Sequence, residues 1–266
     1  MLRWLRHSTA PWRGHNAGWP RTFHICTEPS LLRHWGLDFP PGSTLLTSTL
    51  TKSRILEQTR KYLYPGRVER LLEGGIDLVP GRREGYRLWD VDGRELLDLH
   101  LNGGTFSLGH RNPELSRILA EGLADWDVGN HHFGSQPKAL LAKALVEAAP
   151  GDMQYAVLTC GGSEAVEVAI KSARWATGRR RIVSIDAGFH GRTGLSGAAG
   201  NDEVAQYFLS DRPEEFLKVP FNDLDAMRAA LRTGGIAAVL LETIPATCGF
   251  PVPDEDYLPG VKALCE

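Results

Sequence analysis

Several things are scarce in this 266-residue chain, and each scarcity removes a class of explanation. There are only four cysteines, Cys26, Cys160, Cys248 and Cys265. No two have CxxC spacing, so neither a zinc site nor a disulfide framework is indicated, and a reducing, cytoplasmic setting is expected. The longest strongly apolar run is Ile236 to Leu241, far short of a membrane span. The net charge is only −2 and no basic stripe crosses the body of the chain, so nothing favours nucleic acid. There is no continuous apolar h-region of a secretory signal. Neither GxGxxG nor GxxxxGK[ST] occurs, which argues against a nucleotide-binding α/β protein. Internal repeats and low-complexity tracts are absent. What remains is ordinary for a globular chain with a sizeable core: 42% hydrophobic and 23% charged residues.

The first fifty residues stand apart. They hold four of the seven tryptophans, Trp4, Trp12, Trp19 and Trp35, and no acidic residue before Glu28. Prolines at 11, 20, 29, 40 and 41 interrupt any helical period. An Arg-rich, acid-poor start suits an organelle transit peptide, but the scattered Pro, Gly and Trp make a poor amphipathic helix. An irregular or disordered extension, or translated sequence upstream of the true start, is the preferred reading of residues 1–50.

Regular patterns begin near Ser53. A helix is predicted over 53–64, approaching Pro65. Tyr86–Asp90 and Glu95–Leu99 read as strands, joined by Val91-Asp92-Gly93-Arg94 with its Asp-Gly hairpin signal. Helices are predicted over Pro113–Asp125 and Pro137–Ala149, each with a leucine-rich side. After Gly151 the pattern alternates. Tyr155–Thr159 reads as a strand, Glu164–Thr177 as a helix, Arg181–Asp186 as a strand and Leu224–Leu231 as a helix. Ile236–Leu241 reads as a strand buried on both faces, and Asp256–Glu266 as a helix. Such alternation predicts an α/β fold with a mostly parallel sheet.

Three segments could carry chemistry. Leu158-Thr-Cys-Gly-Gly-Ser-Glu-Ala165 runs from a strand through Gly-Gly into a helix opening at Ser163. Free N–H groups and the helix dipole there favour a phosphate, and Ser163 could cap the helix or donate to a phosphate oxygen. Read alone, it is more commonly a plain turn with an N-cap. Gly188-Phe-His-Gly191 follows a strand end, where open α/β sheets bind ligands. Phe189 could stack on a planar ring and His190 could hydrogen-bond beside it; read alone, the pair is a buried Phe and a loop His. Glu242 ends an apolar strand, where a carboxylate must be paired or hydrogen-bonded. It is either a site acid or one half of a structural ion pair.

Taken together, Trp89-Asp-Val-Asp-Gly93, Leu108-Gly-His-Arg-Asn-Pro113, Cys160-Gly-Gly-Ser-Glu-Ala-Val-Glu-Val-Ala-Ile-Lys-Ser-Ala-Arg174, Phe189-His-Gly191 and Glu242 with Gly249 to Pro253 resemble the class III aminotransferases. Ornithine, GABA and acetylornithine aminotransferases and glutamate-semialdehyde aminomutase belong to that family. The resemblance covers about residues 55–266.

It implies a pyridoxal 5'-phosphate (PLP) transferase of fold-type I: an incomplete large domain with a mostly parallel sheet, plus part of the small N-terminal domain. Residues 51–110 would belong to the small domain as a helix and β-hairpin segment, and residues 111–266 to a partial PLP-binding domain. Gly162 and Ser163 would bind the phosphate, although the family's usual Asn-Ser-Gly-Thr reads Cys160-Gly161-Gly162-Ser163 here. Phe189, commonly Tyr, would stack on the pyridine ring, His190 would complete that loop, and Glu242 would lie near the cofactor. The family's pyridine-pairing Asp and its Schiff-base lysine would follow later. None of the seven lysines has that lysine's context, so no catalytic residue and no metal ligand is assigned. The resemblance implies amino transfer from an amino acid or amine to an oxo-acid or aldehyde, in a homodimer, without nucleic-acid or membrane partners. The chain itself reads as a fragment, inactive alone. An aminomutase, racemase or decarboxylase of the same family is the alternative, as is a non-catalytic assembly partner of an intact paralogue.

Overall fold

The computed structural model describes residues 50–126 and 133–266; the expectation for residues 1–49 lies outside them. The chain divides into two compact units at Val128/Gly129.

The first unit begins with α1 (Lys52–Tyr62), capped by Thr51, whose side chain accepts from the Arg54 N–H. The helix ends two residues earlier than predicted. Tyr64, the residue before Pro65, is pushed off helical geometry, and Pro65 then starts α2 (Pro65–Glu73) at a position where its missing N–H costs nothing. Three antiparallel strands follow in the order β1-β2-β3: β1 (Pro80–Glu84), β2 (Arg87–Asp90) and β3 (Glu95–Leu97). The hairpin predicted across Val91–Arg94 forms, with Leu88 opposite Leu96 and Gly93 at φ +88° in its turn. β1 carries no apolar alternation and is visible only through its pairing with β2.

Asp90, at the end of β2, is buried, and it is the anchor of this unit. Lys52 Nζ lies 3.0 Å from Asp90, 3.0 Å from Asp92 and 3.1 Å from Asp77. Burial works against the Asp90 charge. Hydrogen bonds from the Asp92 N–H, Lys52 and the Val79 N–H outweigh it and hold the carboxyl below the usual carboxylate range. The loop after β3 is closed by His110 Nε2 at 2.7 Å from Asp98. The unit's last helix, α3 (Pro113–Asp125), is capped by Asn112 and buries none of its residues.

In the second unit α4 (Gln136–Ala148) likewise buries none. Residues 155–159 do not form the predicted strand. Their backbone joins no ladder, and Tyr155 is 86% exposed. A strand exists only through a partner, and no described strand lies alongside this segment. From α5 (Gly162–Thr177) onward the alternation is realised: β4 (Arg181–Ile185), α6 (Gly194–Ala199), α7 (Asp202–Tyr207), β5 (Phe216–Val219), α8 (Leu224–Arg232), β6 (Ile236–Leu240), a 3-10 turn (Ala246–Cys248) and α9 (Tyr257–Cys265).

The sheet is all parallel, in the order β5-β4-β6. Because neighbouring residues of a strand face opposite ways, β4 serves two cores. Val183 packs with Val219, Met227, Ile236, Tyr257 and Val261. Ile182 packs with Ile170, Ala198, Ala199 and Phe216. Helices thus cover both faces of the sheet, as the alternation predicts. Ile236 is buried, but the rest of β6 is only half-buried, less than the continuous apolar run predicts. β6 lies at an edge of this sheet, whereas β4, between two neighbours, is buried from Ile182 to Ile185.

Candidate cofactor site

The ends of β4 and β6 and the start of α5 bring the three motif segments together. α5 opens one residue before Ser163, with Gly161 at its N-cap. Ser163 therefore does not cap the helix. Its Oγ instead accepts the Arg192 N–H at 3.1 Å, which leaves the hydroxyl hydrogen available to a ligand. Glu164 reaches back to accept the Cys160 N–H at 2.7 Å, which fixes the approach to the helix. Among the described residues no acceptor meets the first-turn N–H groups of Gly162, Ser163 and Glu164. The space beside Gly161 and Gly162 is open, with nothing within 4 Å of where a Cβ would stand.

The aromatic loop lies directly on this helix start. Gly191 has φ +135°, and a Cβ there would stand 2.6 Å from Ser163 Oγ and 2.5 Å from Ser196 Oγ. Only glycine permits this approach. Phe189, read alone as a buried residue, is not buried; His190 lies in a loop as read, but is itself buried. Phe189 is 45% exposed, whereas His190 is 7% exposed and its Nε2 has no hydrogen-bond partner among the described residues. Burial holds the His190 pKa below its ordinary value; nearby Glu242 pulls it upward and Lys218 pushes it down.

Among the described residues Glu242 has no salt-bridge partner. Its Oε1 accepts the Phe189 N–H at 2.8 Å and its Oε2 accepts the Ala246 N–H at 3.4 Å. It joins the end of β6 to the aromatic loop through backbone groups. The 3-10 turn adds two further contacts, Thr247 Oγ1 and Cys248 Sγ donating to the Ala187 carbonyl at 2.9 and 3.3 Å.

Sequence reasoning missed Arg192. Its guanidinium stands 5.4 Å from the centroid of the Phe189 ring. No motif marked it, since a single Arg after a Gly carries no spacing signal. The loop also borders a cavity of about 170 Å³ whose walls include Gly188, Phe189, Arg192, Gly200, Asn201 and Thr247. Lys218, on β5, is tied to one wall of this cavity: its Nζ donates to the Gly200 carbonyl and lies 3.4 Å from Asp202.

The arrangement offers free helix-start donors, open space beside two glycines and an accessible aromatic face in one place. Such a set suits a planar ring carrying a phosphate. Comparison with known proteins agrees with that chemistry. The aminotransferase class-III family model matches residues 73–266, and the chain belongs to that family. It is 45% identical over 215 residues to an uncharacterized aminotransferase of Archaeoglobus fulgidus, covering 81% of this chain and 50% of that protein. It is 33% identical over 233 residues to a glutamate-1-semialdehyde 2,1-aminomutase of Methanothrix thermoacetophila, covering 83% and 53%. Among solved structures, a taurine:2-oxoglutarate aminotransferase from Bifidobacterium kashiwanohense, in complex with PLP and glutamate, superposes with a TM-score of 0.72 at 27% identity, covering 81% of this chain and 53% of that one. The fold is therefore the fold-type I arrangement of PLP-dependent transferases. The chain spans about half the length of the curated relatives it matches.

Proposed function

We propose that this chain supplies the phosphate- and ring-binding part of a PLP-dependent aminotransferase. The observation that carries the reading is convergence. Ser163, Phe189 and Glu242 are far apart in sequence, yet the hydrogen bonds Arg192 N–H to Ser163 Oγ and Phe189 N–H to Glu242 Oε1 join them at one place.

In this reading the N–H groups of Gly162 and Ser163, with the Ser163 hydroxyl, hold the phosphate. Phe189 covers one face of the ring. Glu242 fixes the loop that presents Phe189. His190, buried and kept neutral, fills the space beneath that loop without adding a charge. Bound there, PLP would supply the carbonyl carbon and electron-withdrawing ring that let an amino group pass from an amino acid or amine to an oxo-acid or aldehyde. No residue of the chain is assigned the covalent lysine role; Lys218, which neighbours the loop, is committed to Gly200 and Asp202. Residues 51–110 are read as small-domain structure and 111–266 as part of the PLP-binding domain, in a cytoplasmic homodimer. An aminomutase is the second reading, favoured by the 33% identity to a glutamate-1-semialdehyde aminomutase, because the same cofactor residues serve both reactions.

Visible absorption during titration of the purified chain with PLP tests this, followed by borohydride reduction and peptide mapping. Saturable binding competed by inorganic phosphate, with no single lysine modified, is expected. Absence of saturable binding overturns the site. Reduction onto one defined lysine overturns the assignment of that role to none of the seven.

A further inference from the structure

The helix start and the aromatic loop are also joined by an acid that no motif singled out. Glu167 lies four residues past Ser163 and so on the same side of α5. Its Oε1 accepts two hydrogen bonds from the far end of the loop, Thr193 Oγ1–H at 3.1 Å and Ser196 N–H at 2.9 Å. Thr193 and Ser196 close on each other in turn. The Thr193 N–H donates to Ser196 Oγ at 3.3 Å, and Ser196 Oγ donates to the Thr193 carbonyl at 3.1 Å. The carboxylate lies against the turn between them: a Cβ at Gly194 would meet Oε1 at 3.4 Å, an ordinary contact.

The loop therefore has three anchors in order. Glu242 holds its start at Phe189, Ser163 holds its middle at Arg192, and Glu167 holds its end at Thr193 and Ser196. Two of the three, Ser163 and Glu167, stand on α5 itself. The helix that carries the phosphate donors thus also holds the middle and end of the loop, while Glu242 holds its Phe189 end from the end of β6. Glu167 belongs to neither apolar core. A carboxylate is the right group for this place. It accepts two bonds through one oxygen, and accepting through a charged group is about twice as strong as a neutral pair.

We infer that Glu167 is a positioning residue, which holds residues 189–196 in register over Ser163 so that the phosphate seat and the ring-facing aromatic stay at a fixed spacing. The inference rests on the reading of this place as a PLP site.

The test compares the wild-type chain with Glu167→Ala and Glu167→Gln, by amide hydrogen exchange without ligand and by PLP titration followed through absorption and induced circular dichroism. In Glu167→Ala, exchange at Arg192 and Ser196 is expected to rise about tenfold while the β4 amides keep wild-type protection. PLP affinity is expected to fall about tenfold, with weaker induced dichroism. Glu167→Gln, whose amide oxygen accepts the same two bonds, is expected to stay within about threefold of wild type. Unchanged exchange and PLP affinity in Glu167→Ala overturn the inference, as does a Gln variant as weak as the Ala variant. Should Glu167→Ala lose β4 protection, Thr193→Val removes one of Glu167's two bonds together with the Thr193 side-chain cap of α6, Thr193→Ser keeps both as the control, and the same two readouts decide. A wild-type chain that binds no PLP overturns the site reading and this role with it, whereas a binding wild type beside an equally binding Glu167→Ala overturns this role alone.

Discussion

The surroundings of β4 and the stretch from Pro113 to Thr159 both carry regular apolar patterns, but only one of them buries what it carries. Ile182, Val183 and Ile185 of β4 are fully buried, with packed residues on either side of the sheet. Leu115, Ile118, Leu119 and Leu123 of α3, and Leu140, Leu141 and Leu145 of α4, stay largely exposed, and residues 155–159 join no ladder. The difference is one of partners. A helical stripe or an apolar run states which face needs covering, and burial follows only where another element supplies the cover. All three segments of the candidate site attach to the covered part: the start of α5, the end of β4 and the end of β6.

Substitutions can break or sharpen this contrast. The largest effect is expected for Gly191→Val. Its Cβ would fall within 3 Å of Ser163 and Ser196 at a φ of +135°, so loop and helix start must separate. Urea denaturation should show a loss of about 3 kcal/mol or more, and PLP binding should vanish. Met227→Ala opens a hole in the core beside Val183 and should cost about 2–5 kcal/mol by the same assay. Glu242→Ala removes the acceptor of the Phe189 N–H; PLP affinity should fall about tenfold with little change in the urea midpoint, since the loop end lies outside both cores.

A pH effect comes next. His190 is buried with its pKa held down, so the unfolded chain takes up a proton near the ordinary histidine value while the folded chain does not. Stability attributable to His190 is therefore complete above about pH 6.5 and falls as pH drops from there toward the lowered folded value. His190→Asn should flatten the stability profile over that interval. The smallest effect is expected for Leu119→Ala on α3, where the side chain is 64% exposed: less than about 0.5 kcal/mol, in direct contrast to Met227→Ala.

Much of this was legible in the residues, for reasons that can be named. α3, α4, α5, α8 and α9 have apolar spacing long enough to establish a period, and the Asp92-Gly93 turn fixes its hairpin by backbone preference alone. β1 was not legible, because Pro80–Glu84 is a polar strand recruited by its neighbour. β5 has four residues, one of them the charged Lys218, and α6 and α7 have six residues each, too short for a period to show. The three site segments could be named from motif order. Their contacts could not: Arg192 and Thr247 lie on the site through folding and carry no spacing signal, and Glu167, though inside the Cys160–Arg174 segment, meets its partners only in the fold. The exposures of Phe189 and His190 were also hidden, since neighbours in a loop need not share an environment.

A crystal structure of the chain with PLP tests the central claim most directly. The account predicts the phosphate within hydrogen-bonding distance of the Gly162 and Ser163 N–H groups and the Ser163 hydroxyl, with the pyridine ring against Phe189. A phosphate seated elsewhere, or a ring lying away from Phe189 with the phosphate in place, would contradict it.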